Sequence, residues 1–481
     1  MTITNALSNA LSGLTAASRA AEVVSSNVAN AQTQGYGRRD LEVSSRYLGG
    51  VDVVGVTRNV DMTIVQDRRL SDASVGYNST IAGFQAQFER ALGTPDEAWS
   101  LTGRVAALEA ALVEAASRPD NDARLAAVRD AAAELATKLN STSDAVQTAR
   151  MDADVAISRQ VTRLNEGLSL VQTLNYKIKE SVARGQDPSS LMDMRQSAID
   201  DISEIVPLKQ IDRDFGQVAL YTPGGAIVLD SQAATFGFDA VGVIVPEMTQ
   251  ASGALSGLTL YGKPVRTDGQ NSQIQGGSLA ALFEVRDSLA TTAQAQLDAV
   301  ARDLIERFES PAVDPTLGAG DPGLFTDDGA ALDTGIETGL AGRIEINALV
   351  DPDRGGALWR LRDGLGAATP GDVGDATLLH SLNAALTGER VAASGGFVGA
   401  SRSASGLAAE LLSRVGMERT AAENRQSYAV AQQESLTAME NENGVDTDAE
   451  LQKIMLIEQA YAANAKVIST IDAMLQAIMD L

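Results

Sequence analysis

The chain has 481 residues, no cysteine and a formal net charge of −25, with a pI near 4.4. That length allows several domains. The charge excludes nucleic acid or an anionic membrane as the main partner, and the lack of cysteine excludes disulfides, thiolate metal sites and Cys nucleophiles. No apolar run reaches membrane-spanning length, so membrane insertion is not expected. The first residues carry no Lys or Arg before Arg19 and no continuous apolar core, so a cleavable secretory signal is not expected either.

The first element is a helix. Ile3, Leu7, Ala10, Leu14, Ala17, Ala21, Val24, Val28 and Ala31 follow one another at steps of four and three. This seam is rich in Ala, so another helix can approach closely, but it buries little alone. Gln34-Gly35-Tyr36-Gly37 breaks the period, and residues 41–66 then alternate as a β-hairpin does. A helix pattern follows through Ile81, Phe84, Phe88 and Leu92. Thr94-Pro95-Asp96-Glu97 carries a capping residue, a first-turn proline and a capping-box acid, which places a helix start there and its end near Ser117.

Residues 122–183 contain no proline and keep helical periodicity, with a late seam of Leu164, Leu168, Val171, Asn175, Ile178 and Val182. One very long helix is expected, with Gly167 the place for a kink. A shorter helix spans 191–206. Residues 208–265 shift to β-branched residues, Gly and Pro, and Thr222-Pro223-Gly224-Gly225 reads as a hairpin turn. This segment is expected to be an outward β insert with a small core of its own. Helix returns at 278–308 through Leu282, Val285, Leu289, Leu297, Val300, Leu304 and Phe308. Residues 311–375, rich in Gly, Asp and Pro with a strand at 343–346, read as a second, smaller insert or a long loop. Helix resumes near Ala376, and a long one from about Ser401 leads toward the end.

The final stretch, Val445 to Leu481, carries a heptad seam: Ile454, Ile457, Tyr461, Asn464, Ile468, Ile471, Leu475 and Ile478. Val467, Met474 and Leu481 form a second apolar row. Asn464 is the one polar residue on the seam, and such a residue fixes register at some cost in stability. Pairing the last helix with the first covers both seams; an ordinary helical bundle whose ends happen to meet is the alternative. The expected fold is mainly α with β inserts, a terminal coiled-coil stalk, a layer of long helices and an outer β-rich part. The expected division is a terminal domain of 1–35 and 441–481, and a helical bundle of 36–207, 276–310 and 376–440. A β-rich insert of 208–275 and a small insert of 311–375 complete it.

Chemistry is scarce. The single histidine, His380, sits among leucines on a helical segment, and no residue set for metal accompanies it. Asp200-Asp201 are neighbours that do not share a helix face, and Asp327-Asp328 lack the EF-hand spacing. No P-loop, dinucleotide fingerprint or nucleophile elbow is present. Two classes of function remain: a structural protein that assembles through its terminal helices, or a secreted hydrolase working with two distant carboxylates.

The stretch ALSGLTAASRAAEVVSSNVANAQTQGYGRR resembles the N-terminal motif of the flagellar axial family of rod, hook and hook-associated proteins, at Asn27, Ala29, Asn30, Thr33, Gly35, Tyr36 and Arg38. GVDTDAEL and QAYAANAKVISTIDAML are similar to the C-terminal motif of the same family, at Gln459, Ala460, Tyr461, Ala465, Lys466, Val467 and Ile468. The long helical block, with MRQSAIDDISEIV and GGSLAALFEVRDSLATTAQAQLDAVARDLIERF, resembles the hook-associated members; a hook or rod protein is the alternative. Gln32, Thr447 and Ala449 depart from the family pattern.

The resemblance implies a structural role without enzymatic activity or cofactor, with the terminal helices lining an inner tube. The assembly interface is then Ile3, Leu7, Leu14, Val24, Asn27, Val28, Asn30, Gly35 and Tyr36 with Ile454, Ile457, Tyr461, Asn464, Ile468, Ile471, Leu475 and Ile478. It also implies partners: copies of the chain in an axial ring, the hook protein, hook-associated protein 3, an export chaperone at the C-terminal region, and the flagellar type III export apparatus. The implied place is outside the cell, at the junction of hook and filament.

Overall fold

The computed structural model describes residues 3–33, 35–47, 49–269, 272–397 and 399–480. Gln34 and Leu481, named above in the turn and in the second apolar row, lie outside the described residues, as do Met1 and Thr2 of the terminal domain. The chain is mainly helical, with small antiparallel sheets.

Helix α1 (Ile3–Ala29) leads into an antiparallel ribbon of β1 (Arg38–Ser45) and β2 (Val51–Asn59). A bulge at Glu42/Val43 bends the ribbon. Its turn returns to α1: a Cβ at Gly50, whose φ is +89°, would lie 2.5 Å from Ser12 Oγ. Strand alternation was expected to residue 66 but stops at Asn59. Asp61 accepts from the Thr63 and Ile64 N–H groups at 2.9 and 3.4 Å and so starts α2 (Met62–Leu92).

Helix α3 spans Leu101–Ser117, not the stretch from Thr94. The Glu97 carboxylate does accept from the Thr94 N–H at 2.8 Å, but that turn closes on itself. The residues after it cross from α2 to the next helix, with Trp99 over Lys138 Nζ at 4.3 Å. Ser100 is the true cap, accepting from the Gly103 N–H at 3.0 Å.

Helix α4 (Asp122–Ala183) runs 62 residues as a single helix, capped by Asn121. Gly167 lets α5 (Ser189–Ser203) approach, since a Cβ there would lie 2.3 Å from Ile202 Cγ2. Leu125, Val128, Leu135 and Leu139 of α4 join Phe88, Leu108 and Leu112 in the larger core. Ile157, Leu164, Leu168 and Val171 join Ile199 and Ile202 in a second core.

Strands β3 (Lys209–Asp212), β4 (Val218–Tyr221) and β5 (Ile227–Leu229) form one sheet. Strands β6 (Phe236–Gly237), β7 (Thr259–Leu260) and β8 (Lys263–Pro264) form another. The expected small core of the insert is not found. Val218, Leu220, Val228, Leu229 and Phe236 belong to the second core, shared with α4 and α5. Strands of two to four residues cannot bury enough apolar surface alone. Two asparagines of α4 pair with the strands as a backbone would. Asn175 donates to Val218 O at 2.8 Å and accepts from its N–H at 3.2 Å; Asn165 does the same with Phe236 at 2.8 and 2.9 Å.

Helices α6 (Gly277–Glu284) and α7 (Ala290–Phe308) are continuous through a wide π turn, Val285–Leu289. Arg286 in that turn is fully buried and pairs with Asp154 of α4 at 2.6 Å. Residues 311–375 hold β9 (Phe325–Asp327), α8 (Leu340–Arg343), β10 (Ile344–Ile346) and α9 (Arg360–Asp363). Strand β10 pairs antiparallel with β9, and Leu324, Phe325, Ile344, Val350 and Leu361 enter the larger core. Helix α10 (Thr377–Thr387) leaves His380 in solvent. A short pair, β11 (Arg390–Val391) and β12 (Ser401–Arg402), precedes α11 (Ala404–Glu442), which lies along α2. After Asn443-Gly444 the chain turns into α12 (Thr447–Met479), which packs on α1.

Candidate assembly interface

The two ends of the chain meet as a helix pair. Ala10, Ala17 and Val24 of α1 and Ile471 of α12 are buried in it. Ile3, Leu14, Val28, Ile454, Ile457, Asn464 and Ile468 are half-buried. Small residues on α1 bring the backbones close: a Cβ at Gly13 would lie 2.8 Å from Asn464 Nδ2. Asn464 itself donates to Ala460 O at 3.0 Å, which keeps its amide folded against its own helix.

The pair is covered on one side only. Leu7, Tyr461, Leu475 and Ile478 of the expected seam remain exposed. Beside the seam, Leu456, Val467 and Met474 are 65 %, 45 % and 52 % exposed. A helix whose apolar stripe is wider than its partner leaves a surface that water does not favour.

The root of the pair is polar and closed. Asn27 is completely buried. Its amide donates to Arg39 O at 2.8 Å and to Glu450 Oε2 at 3.0 Å, and its carbonyl oxygen accepts from the Arg39 N–H at 3.0 Å and the Tyr36 hydroxyl at 2.9 Å. All four groups that Asn27 meets are thereby satisfied. Glu450, also buried, accepts from Lys453 Nζ at 2.7 Å, and Lys453 reaches Asp40 at 3.4 Å. The hydrogen bond to Glu450 holds the Lys453 ammonium above its usual range. Partial burial would raise Asp40, but Arg38, Asn59 and Lys453 outweigh it and hold the carboxyl low. Asp446 caps α12 by accepting from the Asp448 and Ala449 N–H groups.

Arg39 then ties this root to the helical body. Asn27 holds its backbone, while its guanidinium donates to Asp193 of α5 at 2.8 Å. Arg58, its partner across the ribbon, donates to the other oxygen of Asp193 at 2.7 Å, and the Gly37 N–H to that same oxygen at 3.0 Å. Gly35, at φ +78°, turns the chain toward α5, and Asn30 accepts from Thr33 and donates to Ser26 O. A second tie joins α2 to α5 and α11: Arg68 pairs with Asp72, Asp200 and Glu440.

Of the residues expected from sequence, Asn27, Tyr36 and Asn464 stand at the centre of these contacts. Gly13, Arg39, Asp193 and Glu450 were missed. A lone glycine inside a helical pattern was the one available signal, for Gly13. Among the described residues no group of carboxylates or histidine is placed to hold a metal ion, and no helix is long and apolar enough to cross a membrane.

Three family models match the chain. The model of the flagellar hook-associated protein FlgK helical domain covers residues 86–311. The flagella basal body rod protein model covers 7–36, and the flagellar basal body rod FlgEFG protein C-terminal model covers 438–481. Flagellar hook-associated protein 1 of Bacillus subtilis (strain 168) is 23 % identical over 510 aligned residues, 98 % of this chain and 97 % of the relative. The chain is thus similar to the flagellar hook-associated protein 1 family along nearly its whole length. It is a structural component of the flagellar axis, a family without enzymatic function, in which self-assembly is the common property. Hook-associated protein 1 of Salmonella typhimurium is 25 % identical over 47 % of this chain and 43 % of its own length. The solved flagellar hook junction protein FlgK from Burkholderia pseudomallei superposes with a TM-score of 0.43 at 19 % identity, over 54 % of this chain and 46 % of that one. The two terminal matches, far apart in sequence, meet where Asn27 bonds Glu450.

Proposed function

We propose that this chain joins the flagellar hook to the filament and polymerises through its paired terminal helices. The observation that carries this reading is the half-covered pair: α1 and α12 bind each other, yet Leu456, Val467 and Met474 remain in solvent. Such a surface is covered when copies stand side by side in an axial ring, with residues 1–35 and 441–481 as the inner tube. The helical bundle lies outside that tube, and residues 208–275 and 311–375 lie toward the periphery.

The neighbours in this reading are the hook protein on one side and hook-associated protein 3 on the other. An export chaperone shields the C-terminal region before secretion, which uses the flagellar type III apparatus. The protein then acts outside the cell, at the hook–filament junction. A helical-domain match over residues 86–311 favours this over a hook or rod protein, whose terminal motifs it shares. Electron microscopy of a strain lacking the gene tests it. Hooks of ordinary length without filaments are expected, with flagellin shed into the medium. Absent hooks would assign the chain to the rod or hook, and full filaments would remove it from the axis.

A further inference from the structure

The protein is acidic as a whole, yet one cleft has the opposite character. A cavity of about 280 Å³ opens between the base of the ribbon, α5 and the β3–β4 connection. Arg58, Arg195 and Arg213 line it, against one carboxylate, Asp212. Two of the arginines are engaged: Arg58 on Asp193 at 2.7 Å, and Arg213 on Asp230 at 3.3 Å.

Arg195 differs. It is only 7 % exposed, and its Nη1 donates to two neutral oxygens, Asn175 Oδ1 at 2.9 Å and Gly216 O at 2.6 Å. Among the described residues no carboxylate lies within ion-pair distance, and Nε and Nη2 have no acceptor. Burial, with the neighbouring charge of Arg58, pushes its pKa down to about 10. A largely buried guanidinium whose one nearby carboxylate, Asp212, offsets burial only in part and stays beyond ion-pair distance is costly, and its planar fork matches a carboxylate. Phe215 stands beside Gly216 of the lining, 57 % exposed at φ +57°, a region that aromatic side chains avoid. An incoming chain would meet an apolar contact there next to the charged cleft.

We propose that the Arg58–Arg195–Arg213 cleft receives a carboxylate, supplied by an acidic side chain of a second copy of this chain. Charge complementarity argues for that source: a chain of net charge −25 presents acidic side chains to any neighbour of its own kind. Continuity argues for it as well, because Arg58 and Asp193 belong to the joint that carries the assembling helices. Only the source of the carboxylate rests on the assembly reading; the cleft itself does not.

The test uses the full chain in two settings. In dilute monomer, succinate is titrated against sodium chloride at equal ionic strength while the arginine Nε–H resonances are followed by NMR, with Arg195→Lys assigning the Arg195 signal. A saturable shift of that signal is expected, and Arg213→Gln, a change at a half-exposed residue, should weaken succinate roughly two- to fivefold. An unmoved Arg195 signal overturns the cleft as a carboxylate site. Under assembling conditions, Arg213→Gln and added succinate should each raise the critical concentration. Succinate binding with unchanged assembly in both cases overturns the second copy as the source, leaving a free-anion site. Failure of the unmodified chain to assemble at all counts against the assembly reading, and the titration still decides the cleft.

Discussion

Asn27 donates to Glu450 across 3.0 Å although 423 residues separate them. Both side chains are buried, so neither has water to fall back on. Removing Asn27 leaves Glu450 one donor short and strands the Arg39 N–H and C=O. Asn27→Ala should therefore cost the helix pair about 2–4 kcal/mol, the scale of several buried polar groups left partly unpaired. Amide hydrogen exchange should speed up throughout α1 and α12 and stay unchanged in α4. Equal protection in the variant would mean that the polar root adds nothing to pairing.

Substitutions on the two sides of α12 should separate pairing from assembly. Ile471 is buried against α1, and Val467 is exposed. Ile471→Asp places an unpaired charge in the seam, at several kcal/mol, and should free both helices in the monomer. Val467→Asp should leave the monomer's helix content and exchange pattern unchanged yet abolish sedimentation of polymers. If Val467→Asp still pellets like the parent chain, the exposed row is not an assembly surface.

Gly13 and Asn464 should behave as one unit. A methyl at position 13 meets the Asn464 amide at 2.8 Å, which overpacks the seam at about 1–3 kcal/mol. Gly13→Ala should weaken pairing, and adding Asn464→Ala should restore it. Calorimetry of the four chains in a double-mutant cycle reads the coupling; additive effects would show that the two positions do not share a space.

Asp298 of α7 gives a pH dependence. It accepts from Gln294 and from the Gly339 and Ala341 N–H groups at 2.8 Å each, but burial dominates and raises its pKa to about 6. A native carboxyl that holds its proton more tightly than the unfolded one stabilises the fold most below about pH 4, the unfolded value. That contribution is lost as pH rises toward 6 and beyond. The unfolding free energy of the parent chain minus that of Asp298→Asn should therefore fall by about 2–3 kcal/mol between pH 4 and pH 7. A flat difference would mean that the site is already ionised at pH 4.

Deletion of residues 208–265 should destabilise the body. Val218, Leu220, Val228 and Phe236 cover Ile157, Leu164, Leu168 and Ile199, and the cut would expose both helices. Phe236→Ala alone should cost about 3–5 kcal/mol. Chemical denaturation of both variants reads this; a deletion variant as stable as the parent would show that α4 and α5 need no β cover.

What could be read from the sequence was what repeats locally. The seams of α1 and α12, the proline-free span of α4 and the Thr222–Gly225 turn each follow from spacing or turn chemistry within a few residues. The Thr94–Glu97 box misled because its hydrogen bond does form, in a turn that no helix continues. Periodicity names an apolar face but not the element that covers it, so the shared core of the β insert was not visible. Glu450 is one of the chain's many acids, and nothing local marks it as the partner of a residue in the first helix. The wide turn at Val285–Leu289 adds no special residue type and left no trace.

Helix α4 supplies residues to both cores, and at 1.5 Å per residue it extends about 90 Å. Neither core can melt while the other stays intact without fraying a helix that belongs to both. Calorimetry should accordingly register the body as one cooperative unit despite its two clusters. The terminal pair, attached through Arg39 and the α11–α12 turn and sharing neither core along most of its length, should unfold in a separate, smaller and earlier heat-absorption peak. A monomer warmed between those two transitions would keep its outer architecture while its ends were free.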